Sequence, residues 1–288
     1  MILDYVYNKS KRVLSVSYIK ENGGKSVLNF NVDRFKSYYT TPTGRYKNWD
    51  GSNCDIKYVD KPDTFDIKTY FEEMPHNYKY LLDSKYSPRL YTFDIETEIS
   101  DEFPEPSEAK FPITTISIAN DKCDVIILGT KRLDDVEYLN TAFGDYLSNS
   151  DYFKSLKLPF PKIQYIHFES EHDMLKYFLT NIVAKVPVLA GWNSIMFDWQ
   201  YIQNRIQGYY GDLSINMASI NYTTTPKNYT DMRGDKVRLM MPNHTLILDM
   251  MDVVGNFDMV VLPIKESLSL DYIASESIGM NKIKYDGD

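Results

Sequence analysis

The stretch LYTFDIE, residues 90–96, carries the pattern that decides the fold. Side chains alternate between the two faces of a strand, so Asp94 and Glu96 share one face while Phe93 and Ile95 share the other. The apolar face predicts packing against a core. Two adjacent carboxylates raise each other's pKa unless a cation lies between them, and their oxygens suit Mg²⁺ or Mn²⁺. Taken alone, these four residues fit an exposed edge strand with two solvated acids more simply.

The sequence around this stretch predicts a mixed α/β sheet flanked by helices. Two further apolar stretches, 114–119 and 123–129, follow at short spacing and predict a meander of three strands. Helical and strand patterns then alternate, as expected for helices packed on a sheet. The predicted strands are 163–168, 188–193 and 245–251, and the predicted helices are 134–148, 170–186, 197–207 and 267–277.

The helix that begins near Ser170 has a clear apolar face. Ser170 and Asp173 resemble a capping box, with Asp in the place of the usual Glu. Five side chains recur at helical spacing and predict the buried face: Leu175, Phe178, Leu179, Ile182 and Val186.

A second acidic feature lies in GWNSIMFD, residues 191–198. A strand ends here and a helix begins, which places Asp198 in the first helical turn, where the helix N-terminus stabilises a carboxylate. The carboxyl end of a strand is also where α/β proteins commonly bind ligands. The structural alternative is that Asp198 serves its helix alone.

Other polar residues favour structural roles. His167 and His172 lie five apart with too few further ligands for a metal site, and Asp249 with Asp252 follows an apolar strand. We interpret the histidines as capping or surface groups and the two aspartates as structural.

The N-terminal part reads as a separate, smaller and mainly β domain, residues 1–89, followed by a larger domain, residues 90–288. Strand patterns at 13–19 and 27–32 flank Glu21-Asn-Gly-Gly24, a hairpin signal. Residues 40–53 read as a loop, and Asp63 to Met74 as one helix.

Composition and charge limit the possible functions. The chain has 288 residues, a net charge of −8 and two cysteines, which argues against binding a polyanion by bulk charge and against a cysteine-based zinc or disulfide framework. The charge is uneven, because residues 1–89 hold 15 basic and 11 acidic side chains and the remainder holds 17 and 29. A local basic surface therefore stays possible. No apolar run is long enough to span a membrane and the N-terminus is no signal peptide, so we expect a cytoplasmic protein, in the host cytoplasm if it is encoded by a phage.

The two acidic features together resemble a known family. FDIET (93–97) and GWNSIMFDWQYIQNR (191–205) resemble the first and second exonuclease motifs of family B DNA polymerases. Four more stretches in the right order resemble the polymerases of T-even phages: DEFPEP (101–106), HFESEHDML (167–175), TLILDMMD (245–252) and SLSLDYIASESIG (267–279). The segments 17–25 and 49–55 resemble the N-terminal domain of that group more weakly.

The resemblance implies a 3′→5′ proofreading exonuclease on a ribonuclease-H-like fold, working with two Mg²⁺ or Mn²⁺ ions. Asp94 would bridge both ions, Glu96 would bind one and position the water, and Asp198 would hold the second. The same resemblance implies that Phe103 wedges against the frayed end, and that Phe197 and Asn193 line the pocket for the 3′-terminal nucleotide. The implied partner is a single-stranded or frayed 3′ end of DNA.

The resemblance also implies a β-hairpin within the turn-rich stretch 221–244 that helps pass the primer strand to the site. Its basic side chains are Lys227, Arg233, Lys236 and Arg238. An ordinary solvated hairpin is an equally good interpretation.

One departure from the family pattern changes the expected activity. A third motif, Tyr-x3-Asp, is not found after Asp198; Tyr272 with Glu276 is the nearest substitute, and 285–288 resembles the linker before the motif. We therefore expect the chain to stop before that motif, with weak or no cutting by itself. It would be a fragment, a piece of a split polymerase completed by the remainder in cis or as a second chain, or a remnant. A non-catalytic nucleic-acid-binding or assembly module and an exonuclease acting on RNA are the alternatives.

Overall fold

The protein is described from a computed structural model, which covers residues 2–8, 10–31, 35–47, 51–59, 81, 86–122, 124–157, 160–217, 224–230, 234, 236–256 and 267–281. The chain divides into two compact units, Met1–Pro88 and Arg89–Asp288.

The first unit contains two three-stranded antiparallel sheets. One has the order β1-β2-β3 and the other β4-β6-β5. The bounds are β1 Ile2–Asn8, β2 Val13–Ile19, β3 Lys25–Asn31, β4 Phe35–Thr40, β5 Tyr46–Lys47 and β6 Asn53–Val59.

The first of these sheets contains the predicted hairpin. Ile19 pairs with Lys25, and Gly23 has a φ of 76° in the connecting turn, a conformation that glycine adopts at little cost. The predicted loop at 40–53 includes one short strand, β5, because Tyr46 pairs with Cys54 of β6. The helix predicted from Asp63 to Met74 lies outside the described residues.

The second unit is built on a six-stranded mixed sheet of order β10-β9-β8-β7-β11-β14. Its strands are β7 Leu90–Thr97, β8 Ile113–Asn120, β9 Val125–Gly129, β10 Ile163–His167, β11 Val188–Gly191 and β14 Leu246–Asp249. The first three form the predicted antiparallel meander, whereas β10, β11 and β14 each run parallel to the strand they join. The carboxyl ends of β7, β11 and β14 therefore meet at one edge of the sheet.

Helices surround this sheet, and a hairpin lies beside it. The helices are α1 Val136–Ser148, α2 Asp151–Leu156, α3 Glu171–Tyr177, α4 Gln200–Tyr209, α5 Met250–Asn256 and α6 Leu270–Ile278. A π-helical turn, Phe178–Val183, extends α3, and another, Ile195–Trp199, leads into α4. A 3₁₀ segment covers Gly211–Met217, and the hairpin strands are β12 Thr224–Thr230 and β13 Lys236–Pro242.

The core lies between the sheet and α3 with its π-helical extension. All five residues of the predicted apolar helix face are buried. The ring centroids of Phe93 and Phe178 lie 5.8 Å apart, which joins β7 to this helix. Ser170 caps α3, since its Oγ accepts a hydrogen bond from the Asp173 amide. The prediction of a mixed α/β sheet flanked by helices is confirmed, and the architecture is consistent with the ribonuclease-H-like class.

Sequence reasoning did not predict α2, α5 or the 3₁₀ segment. It did predict a β-hairpin within the turn-rich stretch 221–244, and a hairpin is present there. Within that stretch β12 and β13 pair, and they bury Leu239 and Met241 on one face while Lys236 and Arg238 stay exposed on the other. The described helices are all too short or too polar to cross a membrane.

Candidate active site

The strand β7 separates an apolar face from an acidic one. Phe93 and Ile95 are buried in the core, whereas Asp94 and Glu96 are exposed on the opposite face. Two residues of an extended chain span roughly 7 Å, so the two carboxylates lie close enough to share one ligand region. The predicted alternation is confirmed at each of these four positions.

Asp198 reaches β7 from a distant part of the sequence. Parallel pairing between β11 and β7 ends at Ala190 and Thr92, so the later part of β7 has no β11 partner. There the Asp198 Oδ1 accepts a hydrogen bond of 3.0 Å from the Ile95 amide. The buried Asp198 carboxylate thus takes the place of a strand partner for Ile95, the residue that lies between Asp94 and Glu96.

Burial and a neighbouring charge determine the protonation of Asp198. Removal from water raises the pKa of this carboxyl to about 8, and the negative charge of Asp94 acts in the same direction. The amides of Ile95 and Asp198 oppose this shift by stabilising the charged form. The expected stabilisation by the helix N-terminus is therefore outweighed by burial and by the neighbouring charge, and the pKa of Asp198 lies above its usual value.

The loop that carries Asp198 is fixed by Asp249, the last residue of β14. The Asp249 Oδ1 accepts hydrogen bonds of 3.0 Å from the amides of Asn193 and Met251, and its Oδ2 accepts one of 3.1 Å from Ile195. Burial raises the Asp249 pKa, while these amides lower it. Asn193 is held at a φ of 58°, an uncommon conformation for a non-glycine residue that these bonds stabilise. These contacts give Asp249 the structural role that the sequence favoured.

Gly191 permits the close approach of this loop to β7. A Cβ at Gly191 would lie 2.8 Å from the Phe93 carbonyl oxygen and 2.6 Å from the Ser194 Cβ. Both distances are shorter than van der Waals contact, so a larger residue would push the Asp198 loop away from Asp94.

Two of the predicted substrate-binding residues meet beside Asp198. The ring centroids of Phe103 and Phe197 lie 6.0 Å apart in an edge-on arrangement. Phe103 is 67% exposed, which is unusual for so large an apolar side chain. The pair therefore presents an aromatic surface to solvent next to the acidic residues.

Asn193 lies on another side of the same acidic residues. Together with Asp94 it lines a groove of about 880 Å³ on the acidic face of the sheet. Glu96, Phe103, Phe197 and Asp198 are not among the residues that line this groove. The structure thus brings Asp94 together with Asp198 and Phe103 together with Phe197.

The donor chemistry of the acidic residues fits a hard divalent cation, since Asp94, Glu96 and Asp198 offer carboxylate oxygens. Within the described part of the chain, however, no group of three or more acidic, histidine or cysteine side chains is placed to hold a metal ion.

The other polar residues that the sequence singled out lie elsewhere. His172 bonds Asp212 through Nε2 at 2.9 Å, and His167 lies 3.8 Å from Glu169, so both histidines make surface contacts. Tyr272 and Glu276 both lie on α6. Arg233 and 285–288 fall outside the described residues.

Sequence reasoning missed a buried ion pair that joins α3 to α4. The Arg205 Nη2 lies 2.5 Å from the Glu171 Oε2, and both side chains are buried. The sequence did contain a signal for a buried cation, since Tyr201 and Arg205 are four residues apart and therefore lie on the same side of one helix.

These features define a class of α/β protein in which acidic side chains gather at the carboxyl edge of a mixed sheet. Residues 27–273 match the family model described as DNA polymerase family B, exonuclease domain, and the chain belongs to this family. It is the phage type of exonuclease domain that the sequence motifs indicated.

Known relatives agree with this assignment. The DNA-directed DNA polymerase of Escherichia phage RB69 is 30% identical over 77% of this chain and 24% of its own length. That of Enterobacteria phage T4 is 27% identical over 76% and 24%. The DNA polymerase catalytic subunit of equine herpesvirus 1 (strain Ab4p) is 25% identical over 68% and 16%. The chain therefore spans about a quarter of the length of the phage polymerases it matches.

Proposed function

We propose that this chain is the part of a phage-type DNA polymerase that removes nucleotides from an unpaired 3′ end of DNA. The observation that carries the proposal is the carboxylate of Asp198, bonded to the Ile95 amide beside Asp94. It brings the first and second acidic motifs of the family together across 103 positions of sequence.

The proposal assigns the acidic residues to divalent metal ions. Asp94, Glu96 and Asp198 would hold Mg²⁺ or Mn²⁺, which when bound would polarise the phosphate and stabilise the leaving 3′ oxygen. We propose that the groups of the family's third motif, Tyr-x3-Asp, complete the set. Those groups would belong to the remainder of a polymerase, in cis or as a second chain.

The aromatic pair is assigned to the terminal nucleotide. Phe103 would wedge against the frayed end, and Phe197 with Asn193 would contact the last nucleotide. Stacking on an aromatic ring tolerates every base, which suits an enzyme that removes any terminal residue. Since mismatched ends unpair more easily, selectivity for errors would arise from delivery of the strand.

Hydrolysis of a 3′-labelled single strand in the presence of Mn²⁺ tests this function. We expect stepwise shortening from the 3′ end, feeble with this chain alone, and reduced about a hundredfold or more by Asp94→Ala or Asp198→Asn. Asp145→Ala, an exposed acid on α1, is the control and should cut as the parent does. Equal cutting by all four proteins would overturn the proposed site.

Titration with Mn²⁺, followed by calorimetry, tests the ligand assignment separately from catalysis. Asp94→Ala and Glu96→Gln should each weaken Mn²⁺ binding, and Asp145→Ala should not. Unchanged affinity in the first two variants would show that the ions bind elsewhere.

A second candidate function follows from the incomplete ligand set. A non-catalytic module would bind DNA through the same surface but leave it intact. Binding of a single strand without any shortening, in the presence of Mn²⁺ and of a supplied polymerase remainder, would favour this candidate.

A further inference from the structure

A short loop presents Phe103 to the site. Residues 98–112 leave β7 and return to β8, and the Glu98 amide closes the base of this loop with a 2.8 Å hydrogen bond to the Pro112 carbonyl. The position of the exposed Phe103 ring therefore depends on the contacts that hold the rest of the loop.

One side of α4 holds this loop by its backbone. The Tyr201 hydroxyl donates to the Phe111 carbonyl at 2.8 Å and accepts from the Phe111 amide at 3.0 Å. The Asn204 Nδ2 donates to the Pro106 carbonyl at 2.7 Å. Arg205 Nη1 donates to the carbonyls of Ala109 at 3.1 Å and Lys110 at 3.2 Å. Residues three and four apart lie on one helix side, so these three side chains act together.

The buried carboxylate of Glu171 holds Arg205 in place. Glu171 pairs with Arg205 in a two-point contact, Nε to Oε1 at 3.0 Å and Nη2 to Oε2 at 2.5 Å. The Ile113 amide and the Tyr210 hydroxyl each donate to the same carboxylate at 2.7 Å. The guanidinium carbon also lies 4.0 Å from the Tyr209 ring centroid. Every polar group of this pair is thus well supplied with partners, which is what a buried ion pair requires.

Tyr201, Asn204 and Arg205, with Glu171 bound to Arg205, form a clamp that holds the loop in a conformation that it would not prefer alone. Ala109 is fully buried with a φ of 44°, in the left-handed region that is unfavourable for an alanine. Arg205 donates hydrogen bonds to the carbonyls of Ala109 and Lys110, and these bonds stabilise the unfavourable conformation. The same helix continues directly from the π-helical turn that carries Phe197 and Asp198.

We propose that Arg205, held by Glu171 and assisted by Asn204, is a positioning residue that fixes the Phe103 ring against Phe197 and thereby sets the preference for frayed 3′ ends over paired ones. Only the second half of this inference, the preference for frayed ends, rests on the proposed function. Its first half concerns the order of the loop, which is measurable without any cutting.

Two variants weaken the clamp to different degrees. Asn204→Ala removes one hydrogen bond at a half-buried position, and Arg205→Lys keeps the charge but loses the two-point contact. Gln207→Ala is the matched control, an exposed residue on the same helix. Because breaking a buried pair can unfold a domain, Asn204→Ala keeps the test decisive if Arg205→Lys does not fold.

A fluorine label on the Phe103 ring reports the order of the loop. We expect one shifted resonance in the parent and in Gln207→Ala, and movement toward the position of free 4-fluorophenylalanine in both clamp variants. An unchanged resonance in the folded clamp variants would overturn the inference, whether or not the protein cuts DNA.

A comparison of substrates tests the second half. The parent is measured on a single strand, on a duplex with a mismatched 3′ end and on a fully paired duplex, with the remainder of a polymerase supplied. We expect the clamp variants to lose about tenfold on the mismatched duplex, since small misplacement of a positioned group is costly, and to cut the single strand within about twofold of the parent. Equal losses on all three substrates would overturn the role in end selection. Absence of cutting by the parent would count against the proposed function, and the fluorine measurement would still decide the clamp.

Discussion

At the residue scale, the chemistry of Asp198 is produced by the residues that surround it. A carboxylate removed from water favours its neutral form, and the charge of Asp94 adds to that preference. The backbone amides of Asn193 and Ile195 donate to Asp249 and hold the loop that carries Asp198 beside β7. The acidic pair is therefore prepared for a positive partner before one arrives.

Gly191 provides a residue-scale prediction with a matched control. We expect Gly191→Ala to destabilise the protein by about 1 to 3 kcal/mol, because its Cβ would press on the Phe93 carbonyl oxygen and force backbone movement. Gly208→Ala, at a helical glycine whose added Cβ would meet nothing within 4 Å, should stabilise by about 0.5 to 1 kcal/mol. Urea unfolding of the three proteins measures both differences, and equal effects of the two substitutions would contradict this account of the close approach.

At the element scale, the order of the sheet explains why the site lies at one edge. The strand β11 stops pairing with β7 after three residue pairs, and the chain turns back through a π-helical turn. π-helical turns are rare and are common at functional sites, since the extra residue changes where side chains point. Here the turn directs Asp198 to the amide of Ile95 and Phe197 to the ring of Phe103.

The contact between α3 and the 3₁₀ segment provides an element-scale prediction on pH. The hydrogen bond to Asp212 raises the His172 pKa, and the same bond lowers the Asp212 pKa. A raised histidine pKa stabilises the fold below its unfolded value of about 6.5 and loses that effect as the pH rises through the folded value. A lowered aspartate pKa stabilises the fold above its unfolded value of 3.8, and this stabilisation is lost as the pH falls through the folded value. Both partners of the contact are therefore charged between the two folded pKa values.

We therefore expect Asp212→Asn to lower the His172 pKa, followed by the imidazole proton signals in an NMR titration. The stability difference between this variant and the parent should be larger at pH 5.5 than at pH 8.5. Asp145→Asn serves as the control and should leave the His172 titration unchanged. A His172 pKa that stays the same in Asp212→Asn would show that this pair does not set it.

At the scale of the whole molecule, charged side chains are unevenly distributed along the sequence. The first 89 residues carry an excess of basic side chains, although the chain as a whole has a net charge of −8. Lys47 and Lys57 are exposed and share one face of the sheet β4-β6-β5, since Lys47 pairs with Asn53 and alternate residues of β6 point the same way. This face carries two exposed cations, together with Asp55 of β6, and is one basic surface of the described part of the first unit that phosphate groups could reach.

The whole-molecule prediction concerns the salt dependence of DNA binding. Each phosphate that a cation neutralises releases counterions, so affinity for a single strand should fall steeply as salt is added. Combining Lys47→Glu with Lys57→Glu should lower the slope of log affinity against log salt by about 1.4. Lys154→Glu with Lys185→Glu, two exposed lysines of the second unit, should change the slope less. A flat salt response in the parent would contradict an electrostatic contribution from this surface.

The sequence by itself determined those features that depend on neighbours along the chain. Alternation in LYTFDIE placed Asp94 and Glu96 on one strand face, and helical spacing placed Phe178 and Leu179 in the core. Turn chemistry at Glu21–Gly24 predicted the hairpin between β2 and β3. The motif pair indicated the family, because the order and spacing of motifs are properties of the sequence.

Only the tertiary structure decided what the separate segments do to one another. Asp198 and Ile95 are 103 residues apart, and their hydrogen bond arises because β11 ends early beside β7. Arg205 meets Glu171 and the Ala109 carbonyl for the same kind of reason, as folding brings α4 against the loop before β8. Periodicity reports which face of an element is buried, but it carries no information on which buried group it meets. Contacts between distant segments depend on strand order and on where each strand stops, and these are set by packing of the whole sheet.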